Sequence, residues 1–231
     1  MFLASRLPLL HQHLHVIVVR YPAIMNSPKI AIVDYQAGNL RSVQKALERY
    51  GARTCISGVT EEIESADGLV FPGQGSNDSS MRALAAKGLV DPIKNFIRSG
   101  KPFFGVCLGL QLLLERSDEG VEPGLGIVPG EVKRLPSGIK VPHMGWNRVR
   151  FKGTHPIFDA VPDNSHFYFV HSYYAVPEVK SLVVGTTTYG VEFCSAVAWG
   201  NVVAVQFHPE KSGSNGLKLY ERFVQIAENN R

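Results

Sequence analysis

The chain has 231 residues, 45% of them hydrophobic and 19% charged, with a formal net charge of +4; this is the profile of one soluble globular domain with a full hydrophobic core. The basic residues are scattered and form no run with interleaved aromatics, so nucleic-acid binding has little support. No uninterrupted apolar stretch is long enough to cross a bilayer, which argues against a membrane partner.

The first segment, residues 1–27, differs from the rest of the chain. It carries Arg6 and Arg20 and no acidic residue; the first acid of the chain is Asp34. A basic, acid-free segment has the character of a transit peptide, which would imply a plastid. The favoured reading is that Met25 is the start and the upstream segment is spurious. In either case residues 1–27 are expected to be a poorly packed extension and residues 28–231 the functional domain. His11, His13 and His15 alternate within that tail and are read as incidental. No C-x-x-C pair suggests a metal site, and neither metal nor cofactor is expected.

From Lys29 onward strands and helices alternate. Residues 30–33 read as a buried strand. Residues 39–50 read as an amphipathic helix, with Leu40, Val43, Ala46 and Leu47 at helical spacing and Gly51 closing it. Residues 53–56 form a second strand, and Thr60 caps a short acidic turn over 61–66. Residues 68–71 form a third strand, followed by the tight loop Pro72-Gly73-Gln74-Gly75. Asp91 caps a helix with Pro92 in its first position, ending near Gly100. A strand over 102–106 leads into Cys107 and an apolar helical stretch over 108–114. This alternation predicts an α/β fold: an open, mostly parallel, flavodoxin-like sheet with helices on both faces. The second half changes character. Short strands at 131–135, 147–151, 167–170, 182–189, 192–199 and 202–207 are separated by Gly, Pro and Asn turns and read as antiparallel hairpins added to the sheet edge. Residues 215–228 form a closing helix with Leu217, Tyr220, Phe223, Val224 and Ala227 inward.

Two short segments carry the chemistry. Gly105-Val106-Cys107-Leu108-Gly109 places a nucleophile between small residues at a strand-to-helix junction. Such an elbow projects the side chain, and the helix N-terminus favours a thiolate. His208-Pro209-Glu210 supplies a base and an orienting acid at the end of another strand. A cysteine activated by a histidine that a third group holds is a nucleophilic triad. Taken alone, Cys107 is also compatible with a buried core thiol, and His208 with a capping histidine. The Pro72 loop follows a neighbouring strand, so its Gln74 or Gly75 amide, with that of Leu108, can face a developing oxyanion. Gln111 lies one helical turn after Cys107 in an apolar run, and is read either as a substrate contact or as a solvent-facing glutamine. Ligands of an open parallel sheet bind outside the carboxyl ends of its strands, where these segments fall. Cys55, Cys107 and Cys194 are an odd, sparse set, which argues against a disulfide framework and for a reducing compartment such as the cytoplasm.

The sequence Gly-Val-Cys-Leu-Gly-Leu-Gln with a downstream His-Pro-Glu resembles the class I (triad) glutamine amidotransferases, over Lys29 to the C-terminus. Pro142-His143-Met144-Gly145-Trp146-Asn147, Phe167 through Tyr173, and Lys211-Ser212 after the triad glutamate narrow the resemblance to the glutaminase subunits of imidazole glycerol phosphate synthase, of histidine biosynthesis. The resemblance implies glutamine hydrolysis by Cys107, His208 and Glu210. Gln74, Gly75 and Leu108 would form the oxyanion hole, and Gly73, Gln111, Ser172 and Tyr173 would hold glutamine. Ammonia would pass to a (β/α)8-barrel synthase partner that makes imidazole glycerol phosphate and aminoimidazole carboxamide ribotide, met by Asn39, Trp146, Tyr168 and Lys211. Read from the residues alone, Trp146 and Tyr168 also suit core aromatics and Lys211 a solvated charge. Gln74 departs from the small apolar residue the family usually carries there. Two competing readings are another class I amidotransferase, against which the Met-Gly-Trp-Asn segment argues, and a silent scaffold, against which the intact triad argues.

Overall fold

The computed structural model describes residues 27–36, 38–152 and 155–231, so the expectations for residues 1–26 lie outside the described residues. The first half comprises β1 (Lys29–Val33), α1 (Leu40–Glu48), β2 (Arg53–Ser57), α2 (Thr60–Glu64), β3 (Gly68–Gly73), α3 (Asn77–Ala86), α4 (Val90–Arg98), β4 (Phe103–Cys107) and α5 (Leu108–Gln111). The second half adds β5 (Arg116–Ser117), β6 (Gly130–Arg134), β7 (His143–Phe151), β8 (Ser165–His171), β9 (Tyr173–Pro177), β10 (Val183–Tyr189), β11 (Val191–Trp199), β12 (Val202–Val205) and α6 (Gly213–Asn229).

The strands join in the order β2-β1-β3-β4-β12-β11-β10-β7-β8. From β2 to β12 neighbours are parallel; β11 reverses the direction, and β10, β7 and β8 continue antiparallel. The inner parallel strands β1, β3, β4 and β12 are almost continuously apolar because both of their faces are covered, whereas the edge strand β2 is half-exposed. Every residue of β3, β4 and β12 is buried. Successive side chains go to opposite sides. Ile30, Ile32, Val70 and Phe104 join α1 and α6 on one face, while Ala31, Val33, Leu69, Phe71 and Phe103 meet α4 on the other. Among the described residues no helix is long and apolar enough to cross a membrane.

Several boundaries differ from the sequence expectation. The apolar stretch 108–114 is not one helix: α5 is a single turn. Its continuation is intercepted by the segment after Pro123, whose amides take the carbonyls of Leu112, Leu113 and Leu114 (Leu125 N to Leu112 O, 2.7 Å; Ile127 N to Leu113 O, 2.9 Å; Gly126 N to Leu114 O, 3.1 Å). Residues 72 and 73 belong to β3 rather than to a loop, because Gly73 pairs with Cys107 of β4. Neither Thr60 nor Asp91 is a cap: each lies inside its helix, with Val59 and Leu89 at the N-cap positions. α3 and β9 were not anticipated. The opening Asn77-Asp78-Ser79-Ser80 has the composition of a loop, yet Ser76 caps it by accepting from the Ser79 amide. On α6 the inward residue is Leu219, while Leu217 is only half-buried.

Candidate active site

Cys107 is the last residue of β4 and the residue immediately before α5. Its backbone is at φ 56°, ψ −109°, a region that a residue with a Cβ occupies only under strain. Two close approaches hold it there. A Cβ on Gly109 would stand 1.9 Å from the Phe71 carbonyl oxygen, so α5 can lie directly on β3 only with glycine at that position. A Cβ on Gly73 would stand 2.6 Å from the Tyr35 hydroxyl and 2.7 Å from Leu108. The elbow is therefore wedged between two close contacts, and its thiol is turned into a cavity of about 450 Å³.

His208 comes from the turn after β12, where residues 209–211 form a short 3-10 helix. Its position is fixed by its backbone. The His208 amide donates to the Tyr168 carbonyl at 2.9 Å. The Ser212 hydroxyl donates to the His208 carbonyl at 2.6 Å and accepts from the Tyr168 amide at 2.9 Å. β8 and the His-Pro-Glu turn thus clamp each other. His208 Nδ1 donates to Glu210 Oε1 at 2.9 Å, and both side chains are buried. Burial opposes a charged imidazole, but the Cys107 sulfur beside it and the Glu210 carboxylate together outweigh that and raise the His208 pKa to about 10. The pair therefore favours the protonated form of His208.

The cavity brings together Gly73, Gln74, Gly75, Cys107, Leu108, Gln111, Ser172, Tyr173, His208 and Lys211 from the sequence-derived set. Gly75 adopts φ 98°, a conformation open to glycine. The first amides of α5 have no partner within the helix, as at any helix start. Gln111 is buried, not solvent-facing, and its Nε2 donates to the Tyr173 carbonyl at 2.8 Å and to Gln206 Oε1 at 3.0 Å. Only its Oε1 is left to face a ligand.

Asn39, Trp146 and Tyr168 do not line this cavity. Asn39 is turned inward: at φ 64° its side-chain Nδ2 donates to Glu210 Oε1 at 3.0 Å. Tyr220 OH reaches the other carboxylate oxygen at 3.5 Å. Trp146 is 56% exposed and packs edge-on against half-buried Tyr168 across the β7/β8 pair at 6.2 Å, so neither is a core aromatic. Met144 is exposed on the same strand face, two residues away.

Sequence reasoning missed Glu119 and Gln206. Glu119 lines the cavity and accepts from the Asn77 amide at 2.8 Å, and burial holds its carboxyl above the ordinary range. It sits in Ser117-Asp118-Glu119, which reads as a solvated loop. Gln206, two residues before His208, is fully buried. Its polarity inside the otherwise apolar 202–207 run was the available signal. Among the described residues no cluster of His, Cys, Asp or Glu could hold a metal ion.

An open α/β sheet with a thiol on a strained strand–helix elbow, beside a buried histidine–carboxylate pair beyond the carboxyl edge, is an arrangement suited to cysteine-dependent acyl transfer. The chain belongs to the class-I glutamine amidotransferase family, whose description matches residues 31–226. It is 50% identical over 198 residues, covering 85% of this chain and 94% of the relative, to the imidazole glycerol phosphate synthase subunit HisH of Moorella thermoacetica. It is 48% identical over 208 residues, covering 88% and 100%, to the HisH subunit of Thermosynechococcus vestitus. Among solved structures it resembles PurLQS from Thermotoga maritima (TM-score 0.68, 19% identity, covering 86% and 98%). The glutaminase domain of Trypanosoma brucei CTPS is similarly related (TM-score 0.64, 18% identity, covering 88% and 94%). At that identity the likeness speaks for the fold.

Proposed function

We propose that this protein is the glutaminase subunit of an imidazole glycerol phosphate synthase, with Cys107 as nucleophile, His208 as proton carrier and Glu210 as its orienting acid. The observation that carries the reading is the strained Cys107 elbow facing the buried His208–Glu210 pair across one cavity. Because its surroundings favour protonated His208, this residue can supply the proton that glutamine's departing nitrogen needs. The thiolate attacks the side-chain amide carbon of glutamine, and the tetrahedral oxyanion is taken up by amides at Gln74 or Gly75 and at Leu108. As the C–N bond breaks, the nitrogen takes the His208 proton and leaves as ammonia. His208, now a base, draws a proton from water as its oxygen attacks the thioester. Glutamate leaves, and Cys107 and His208 return to their starting states.

The rim of the cavity fits the rest of an amino acid. The Glu119 carboxylate and Gln111 Oε1 are acceptors for the α-ammonium, and the backbone at Ser172 and Tyr173 takes the α-carboxylate. The exposed Trp146 and Met144, with Tyr168 and Lys211, form the face for a (β/α)8-barrel synthase subunit that consumes the ammonia in histidine biosynthesis. Asn39 is assigned to that interface by the family resemblance alone; its side-chain amide is spent on the triad carboxylate. The test is Cys107→Ser assayed with that barrel subunit: glutamine-dependent product formation is lost, while formation from added ammonia is retained. Retained glutamine-dependent turnover would remove Cys107 from the mechanism.

A further inference from the structure

Gln206 is fully buried, yet it lies between two groups of the site. Its Oε1 accepts from Gln111 Nε2 at 3.0 Å, and its Nε2 is 3.8 Å from Cys107 Sγ. The two ends of a glutamine amide are hard to distinguish by shape, so the direction in which Gln206 points must come from its hydrogen-bond surroundings. Here that direction follows from one unambiguous acceptor. The Tyr173 carbonyl can only accept, so the Gln111 atom 2.8 Å from it is the NH2 group. That same NH2 faces Gln206, so Gln206 presents its oxygen to Gln111. Its own NH2 is then left facing the sulfur. His171 Nδ1 donates to the same Tyr173 carbonyl at 2.9 Å, which occupies both lone pairs and fixes the carbonyl in turn.

We propose that Gln206 is a catalytic residue of the glutaminase reaction: its side-chain amide donates to Cys107 Sγ, with its polarity set by the Tyr173 carbonyl through Gln111. This rests on the reading of Cys107 as the nucleophile. The donor acts wherever negative charge sits on sulfur, in the attacking thiolate and again as the thioester breaks and sulfur leaves the acyl carbon. Hydrogen bonds to an ionised acceptor are stronger than neutral ones, and a water-poor surrounding strengthens them further. Gln206 lies beneath the cavity and makes its contacts to the protein alone, so its removal acts on turnover and not on glutamine affinity.

The test compares wild-type protein with Gln206→Met and Gln206→Glu, both close to glutamine in volume. Alkylation of Cys107 by iodoacetamide at pH 7 is followed by mass on the Cys107 peptide, and glutamine hydrolysis is measured in the complex with the synthase barrel. Gln206→Met is expected to slow alkylation about tenfold and to lower kcat by a similar factor, with KM for glutamine within about twofold. Gln206→Glu, which sets a carboxylate beside the sulfur, should be slower still. If either variant loses its fold by circular dichroism, the other gives the answer. In wild-type protein the side-chain amide resonance of Gln206 should also move when Cys107 is alkylated. Alkylation within twofold of wild type, a loss confined to KM, or an unmoved Gln206 resonance would overturn the proposal. Wild-type protein with a reactive Cys107 but no glutamine hydrolysis in the complex would instead overturn the nucleophile reading on which it rests.

Discussion

Asn39 and His208 donate to the same oxygen of Glu210, Oε1, at 3.0 and 2.9 Å. A residue at the first turn of α1 therefore helps aim the carboxylate that aims the imidazole, although Asn39 and Glu210 lie 171 positions apart in the chain. Asn39 sits at φ 64°, where asparagine is tolerated and glycine is free. Asn39→Gly thus removes the amide without straining the backbone. It should lower kcat for glutamine hydrolysis about tenfold, in line with about 1.5 kcal/mol for one hydrogen bond to a charged group. Asn39→Asp, which faces Glu210 with a like charge, should lower it further. Unchanged kcat in both variants would leave Asn39 with no part in orienting the triad.

Glu119 gives a different kinetic signature. A carboxylate that holds the α-ammonium of glutamine binds ground state and transition state alike. Glu119→Gln keeps an acceptor for the Asn77 amide but removes the charge. It should raise KM for glutamine by about ten- to a hundredfold and leave kcat within a few-fold. A fall in kcat at constant KM would place Glu119 in the chemistry instead.

Gly109→Ala tests the elbow mechanically. The added methyl would sit 1.9 Å from the Phe71 carbonyl oxygen, a rigid strand atom, and cannot be absorbed by a rotamer change. We expect a loss of about 3 kcal/mol or more of stability, or failure to fold, together with loss of Cys107 reactivity. A chemical denaturation curve superimposable on wild type would mean that α5 can shift without cost.

His143 and His171 make a measurable acid sensitivity. His171 Nδ1 donates to the Tyr173 carbonyl at 2.9 Å, so its Nε2 accepts from His143 Nδ1 at 2.9 Å, and His143 Nε2 accepts from Asn147 at 3.2 Å. Both rings are fixed as neutral tautomers. Burial lowers the pKa of His143 to about 4 and that of His171 to about 3. Unfolded histidines titrate near ~6.5, so the unfolded state binds more protons between about pH 6.5 and these lower values. The stabilisation is complete above that pH and is lost as pH falls. His208, raised to about 10, is protonated in the folded state throughout this window and so contributes no loss of its own as acid is added. Unfolding free energy should therefore fall by about 1.4 kcal/mol per pH unit for each of the two histidines, on top of carboxylate effects. His143→Gln should flatten the slope by about one such increment between about pH 6 and 4.5. Equal slopes in the two proteins would refute the neutral pair.

The parallel half of the fold was legible because β1, β3 and β4 are buried on both faces and their apolar runs are uninterrupted. Cys107 and His208 were legible because their chemistry is local, a nucleophile among glycines and a His-Pro-Glu turn. The length of α5 was not legible: the carbonyls that would continue it are taken by residues 125–127, a tertiary competition invisible to a helical pattern. α3 was hidden by a loop-like opening that Ser76 caps. The resemblance put Asn39 at the partner interface; that its amide turns onto Glu210 depends on α1 meeting the turn after β12. Glu119 and Gln206 carried the weakest signals, a charge among charges and one polar residue in an apolar strand, and only the packing gives them partners.

The most direct test of the glutaminase assignment is glutamate release from glutamine by the purified chain, alone and with an imidazole glycerol phosphate synthase barrel subunit plus its nucleotide substrate, with Cys107→Ser as control. Low hydrolysis by the isolated chain, strong stimulation by barrel and nucleotide together, and none in the Cys107→Ser complex are the expected results. Hydrolysis that the barrel leaves unchanged would contradict the assignment of the partner, and hydrolysis that survives Cys107→Ser would contradict the mechanism itself.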